Sequence, residues 1–204
     1  MNTDINALES FCDRWFKKAR DYNTNNLAEC FDKFSTLYTI YNRVYQEVSF
    51  YMMRKQKSTG KNIFQIIFPP KKPFAPFSDK LSATQYVLQY YDKKKLQQEI
   101  SVDADCRESI DKLVKFIEEG IFYFHLDYNT GLPDTKTDQR LANDSKLYDP
   151  KAILCLIYQA RCNMFHGEKE FIVTQRNLLI SLNALLEFIT LKVYEKLLSD
   201  LKND

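Results

Sequence analysis

A chain of 204 residues suits one domain, and an apolar content of 45% is enough for a sizeable core. The formal charge of +2 excludes a bulk polycation, so any attraction for nucleic acid must be local. Four glycines argue against a many-turned β sandwich and against a Gly-rich phosphate cradle, and five unpaired-looking cysteines argue against a disulfide framework or a structural zinc site.

Asp4 to Arg20 carries Ile5, Leu8, Phe11, Cys12, Trp15, Phe16 and Ala19, an i, i+3, i+4 stripe that predicts an amphipathic helix. Charges run through this segment, so it lacks a signal-peptide core. The polar run Asn23-Thr24-Asn25-Asn26 makes a turn. A second helix is expected from Leu27 to Arg54, with Phe31, Phe34, Leu37, Tyr38, Tyr41, Val44, Tyr45 and Val48 apolar. Residues 55–81 then read as an irregular insertion. Ser58-Thr59-Gly60 signals a turn, Ile63 to Phe68 an extended segment, and Pro69, Pro70, Pro73 and Pro76 forbid regular structure. The basic clusters Arg54 to Lys57, Lys71-Lys72 and Lys93 to Lys95 read as solvated faces.

Ser82 with Gln85 forms a capping-box pattern that starts a helix running to Ile100. Another follows over Ala104 to Glu119, closed by Gly120. Residues 120–148, polar and rich in turn formers, read as a surface loop. Asp149-Pro150 is a strong helix start, with an N-cap aspartate and proline at the first position. That helix runs toward His166, with Gly167 placed to end it. The last helix, Thr174 to Leu201, carries Leu178, Leu182, Leu185, Ile189, Val193 and Leu197 near heptad spacing. The two are expected to form an antiparallel hairpin. No stretch reaches about eighteen uninterrupted apolar residues, so no membrane association and a cytoplasmic location are expected. The fold class is all-α: one helical domain over 1–204 with a Pro-rich, partly extended insertion.

Arg161, Asn163 and His166 stand out chemically. Histidine moves protons near neutrality, arginine clamps a phosphate, and asparagine can orient either. Asn163 and His166 share a helix face, and Arg161 lies about 140° round from His166. Together these types suit attack of an RNA 2′-hydroxyl on its neighbouring phosphorus, a reaction that needs proton transfer and charge stabilisation but no metal. His125, in the apolar run Phe122 to Leu126, reads as structural.

The string Tyr158-Gln159-Ala160-Arg161-Cys162-Asn163-Met164-Phe165-His166-Gly167-Glu168-Lys169 resembles the motif region of the HEPN superfamily. There an arginine, four to six residues and a histidine mark a ribonuclease site. Tyr38-Thr39-Ile40-Tyr41-Asn42-Arg43-Val44-Tyr45 resembles an aromatic-Asn-x-x-Tyr segment found on an early helix of such domains. The resemblance spans Asp149 to Leu198 and, more loosely, Leu27 to Tyr51. It implies a HEPN-like helical bundle and a metal-independent endoribonuclease of toxin or antiviral type, with no cofactor. Arg161 and His166 would be catalytic and Asn163 and Lys169 supporting. RNA would be the substrate, the site would be shared across a homodimer, and an antitoxin or defence-system protein would be a partner. Many superfamily members carry a polar residue directly after the arginine; here it is Cys162. If that position is needed for cleavage, the chain is instead a non-catalytic RNA-binding or assembly module.

Overall fold

The computed structural model describes residues 4–59, 78–127, 129–166 and 173–204, with the side chains of residues 165, 166, 173 and 174 outside that set. Helices dominate, in the order α1 (Ile5–Asp21), α2 (Leu27–Thr59), α3 (Asp79–Leu81), a π-helical turn (Ser82–Tyr86), α4 (Val87–Tyr91), α5 (Lys93–Val102), α6 (Ala104–Glu118), α7 (Thr135–Lys146), α8 (Pro150–His166) and α9 (Val173–Lys202). The only pairing of extended backbone among the described residues is an isolated antiparallel bridge, Leu126 to Pro133. The protein is an all-α bundle.

Two long helices form its axis. α2 and α9 pack on each other, α6 lies on α9, and α1 covers α2. α1 starts where Asp4 accepts from the Ala7 N–H at 3.0 Å, and it buries Leu8, Cys12, Phe16 and Ala19. α9 buries Leu178, Leu179, Leu182, Leu185, Leu186, Ile189, Val193 and Leu197. That stripe is too broad for one neighbour, so α9 serves α2 and α6 together and meets α8 only slightly. The expected α8–α9 hairpin is therefore not the main association of either helix. The span Gln175–Lys202 is long and apolar enough to cross a membrane, yet 61% of its most apolar window is buried within the fold, as in the core helix of a bundle.

Three expectations need correction. Lys55 to Thr59 and Asp79 to Leu81, assigned to the irregular insertion, are helical. Ser58 and Thr59 extend α2 rather than turning, and both hydroxyls bond back to the Lys55 carbonyl. Residues 60–77, including the extended segment and the prolines, lie outside the described residues. Second, Ser82 is no helix start. Ser78 caps α3 by accepting from the Leu81 N–H, and Ser82 is buried in the π turn, where it accepts from the Ser49 hydroxyl. The stretch to Ile100 is broken at Asp92, which adopts φ of 82° and caps α5 through the Lys94 and Lys95 N–H groups.

Third, the loop assigned to 120–148 contains α7. Asp134 caps it, accepting from the Thr137 N–H at 3.1 Å, and Asp138, Leu141, Ala142 and Ser145 turn inward. Half of that inward face is polar, which hides it from a search for apolar periodicity. Gly120 behaves as expected, with φ of 65° after the end of α6.

Candidate functional site

α8 begins as its sequence requires. Asp149 accepts from the Lys151 N–H at 2.8 Å, and Pro150 occupies the first helical position, where its missing N–H costs nothing. Seventeen residues on, the helix ends at His166. Arg161, Asn163 and His166 are thus carried on one rigid element, but they do not all serve one face.

Arg161 reaches across to α2. Its guanidinium carbon lies 5.6 Å from the centroid of the Tyr38 ring, a cation–π contact. Beside it opens a cavity of about 300 Å³ lined by Ser35, Tyr38, Thr39, Asn42, Arg43, Gln46 and Arg161. The two sequence segments that drew attention, Tyr38 to Tyr45 and Tyr158 to Lys169, therefore meet here. Ser35, Thr39, Asn42 and Gln46 stand at i, i+4, i+7 and i+11, one polar stripe on a helix that buries Phe34, Leu37, Tyr38, Tyr41 and Tyr45 in the core. Arg43, also at the cavity, pairs with Glu47 at 2.8 Å.

Behind the Tyr38 ring runs a second layer. Phe34, Tyr38, Tyr41 and Tyr45 follow one another at centroid spacings of 6.2, 6.0 and 5.2 Å. Tyr41 donates to the Ala83 carbonyl at 2.5 Å, which ties α2 to the π turn. Tyr45 donates to Asp79 at 2.5 Å, and Tyr158 of α8 donates to the other oxygen of Asp79 at 3.3 Å. Asp79 is thus the carboxylate that joins α2, α3 and α8 next to Arg161. The Tyr38 hydroxyl is buried and has no hydrogen-bond partner among the described residues.

The electrostatics follow from burial and from this one carboxylate. Desolvation, with Asp79 adding to it, pushes the Tyr158 hydroxyl up to about 12 and raises Tyr38 and Tyr45 as well. These phenols stay neutral at any physiological pH. Burial works against the charge of Arg161, but Cys162, Tyr38 and Asp79 together hold its pKa above the usual arginine value. The guanidinium remains a cation.

Asn163 does not join Arg161 at the cavity. It is 3% exposed, its amide donates to the Phe124 carbonyl at 2.8 Å, and its oxygen accepts from Gln159 at 2.8 Å. The His166 side chain and all of Lys169 lie outside the described residues. His125 sits against Asp138, Nδ1 to Oδ1 at 2.7 Å, and Asp138 also accepts from the Phe124 and His125 N–H groups. That pairing suits a structural histidine. Among the described residues no three His, Cys, Asp or Glu side chains converge as a metal site. Reading the sequence missed Asp79, Ser35 and Gln46. The spacing 35, 39, 42, 46 was the available signal for the stripe; nothing local marked Asp79. Comparison with family models, curated proteins and solved structures gave no match for this chain.

Proposed function

We propose that the protein is a metal-independent endoribonuclease of HEPN type, acting as a toxin or antiviral effector in the cytoplasm. The observation that supports this reading most is the meeting of Arg161 with Tyr38, Asn42 and Arg43 at one cavity, because it joins the two segments that carry the resemblance although they lie far apart in sequence. A fixed cation beside polar side chains suits a scissile phosphate, and a charge that persists at all pH values suits a dianionic transition state. Arg161 holds the phosphate, and His166, at the end of the same helix, moves the proton. A homodimer would bring a second copy of both residues to a shared cleft and double the local positive charge.

Asn163 is a positioning residue in this scheme. Its amide is committed to Phe124, so it fixes the last turns of α8 instead of meeting RNA. That commitment, with Cys162 at the position after the arginine, favours a second reading in which the site binds RNA without cutting it.

The test is RNA cleavage by the purified full chain in EDTA. Cleavage that persists and leaves 2′,3′-cyclic phosphate ends, with loss of about a hundredfold or more in His166→Ala, is the expected result. Full activity in His166→Ala, or dependence on a divalent metal, would overturn it. Salt-sensitive RNA binding without any cleavage would select the second reading.

A further inference from the structure

The α2 stripe at the Arg161 cavity has a chemistry of its own. Its side chains are hydroxyls and amides, not the mixed charges of an ordinary solvated helix face. Thr39 bonds back to the Ser35 carbonyl at 2.8 Å, so it acts as a wall. Asn42 and Gln46 are half-buried and one turn apart, and each carries a paired donor and acceptor, the pattern that matches the edge of a nucleobase. Two guanidiniums border the same space. Arg43 is shared with Glu47 but has five N–H donors, so the pairing leaves some for a ligand. Arg161 presents a flat cation on the Tyr38 ring, a surface suited to a planar base or a phosphate. The volume, about 300 Å³, stands at the small end of ligand pockets and holds one compact unit.

We infer that this cavity is a nucleoside monophosphate subsite, with Arg161 and Arg43 on the phosphate and Asn42 and Gln46 on the base edge. It builds on the ribonuclease reading at Arg161 and adds a recognition role for α2. An acidic peptide would use the arginines and leave both amides idle. Inorganic phosphate would leave most of the volume unfilled. The unit can arrive free or as one nucleotide of an RNA strand, and the chemistry that holds it is the same.

Calorimetric titration of the full chain separates these. The ligands are the four nucleoside 5′-monophosphates, adenosine, inorganic phosphate, and single-stranded RNA pentamers, the last with His166→Ala protein. At least one monophosphate should bind about tenfold more tightly than adenosine or phosphate alone. Asn42→Ala should weaken it about tenfold, and Arg43→Ala should weaken every phosphate-bearing ligand. Thr39→Trp, at an exposed wall position, should block the cavity without touching a ligand-binding atom. Pentamer binding with this same Asn42 dependence, and none by monophosphates, would place the subsite on an RNA strand and support the inference equally. Binding of phosphate as tight as nucleotide, indifference to both Asn42→Ala and Thr39→Trp, or no binding of any nucleotide would overturn it. Asn42-dependent binding with no RNA cleavage in wild type would remove the nuclease reading alone. Cleavage that ignores Asn42→Ala and Thr39→Trp would remove this inference alone.

Discussion

The side-chain amide of Asn163 donates to the main-chain carbonyl of Phe124 at 2.8 Å, and both groups are buried. The segment after α6 is therefore fastened to α8 three residues before His166. Asp138 of α7 holds the other side of the same residue, accepting the Phe124 N–H at 2.7 Å. Phe124 thus links α7 to α8 in addition to their direct packing.

Asn163→Ala should destabilise the fold by about 1–3 kcal/mol, because it orphans a buried carbonyl and removes the partner of Gln159. Asp138→Ala should do at least as much. Since both act on Phe124, the double variant should lose less than the sum of the single losses. Chemical denaturation of the four proteins checks this. A stable Asn163→Ala that nevertheless loses activity would move Asn163 from positioning to chemistry.

Arg161→Ala should abolish RNA cleavage while lowering stability by about 0.5–2 kcal/mol, the range of a partly buried cation–π contact such as that with Tyr38. Arg161→Lys should keep the charge but lose the fork that grips two phosphate oxygens, leaving activity well below wild type. Cleavage assays with thermal melts of the same samples read both effects. A collapse of the fold in Arg161→Ala would make the residue structural.

Much of this architecture was legible in the sequence, and each miss has its own physical reason. α1, α2, α6, α8 and α9 bury mostly apolar side chains, so their period was visible. α7 turns Asp138 and Ser145 inward beside Leu141 and Ala142, so its period was not. The break at Asp92 was silent because an aspartate, not a glycine, takes the left-handed conformation there. At the site, Arg161 and the Tyr38–Tyr45 segment could be singled out from their neighbours. Asp79 could not, because its partners Tyr45 and Tyr158 lie 34 and 79 residues away.

Asp200 gives a pH signature. Burial would raise its pKa, but Lys196 at 2.7 Å and the Tyr90 hydroxyl at 2.6 Å outweigh this and hold it below the usual aspartate value. A depressed carboxylate contributes stability above its unfolded pKa, about 4, and loses it as pH falls through the folded value. Wild type should therefore lose stability between about pH 4 and the more acid range, and Asp200→Asn should show a shallower loss there. Urea midpoints at several acid pH values provide the comparison. Equal slopes would mean that the α4–α9 link is electrostatically neutral.

The thiols should divide by burial. Cys12 and Cys106 are buried and pushed up to about 12, so they should resist alkylation in the native state. Cys162 is half-buried and follows Arg161 directly, so it should be labelled before them. Mass spectrometry after a short iodoacetamide pulse gives the order, and early modification of Cys12 would contradict the buried α1–α9 contact.

The π turn at Ser82–Tyr86 absorbs one residue more than a regular helix would hold between α3 and α4. The extra residue widens the coil locally, so the flanking helices keep their faces and Asp79 still meets Tyr45 and Tyr158. Deleting Ala83 should therefore yield one regular helix with both flanks in phase. A second deletion, with no bulge left to absorb it, would turn Asp79 by about 100° away from its partners: the turn is a one-residue tolerance in the length of the chain beside Arg161.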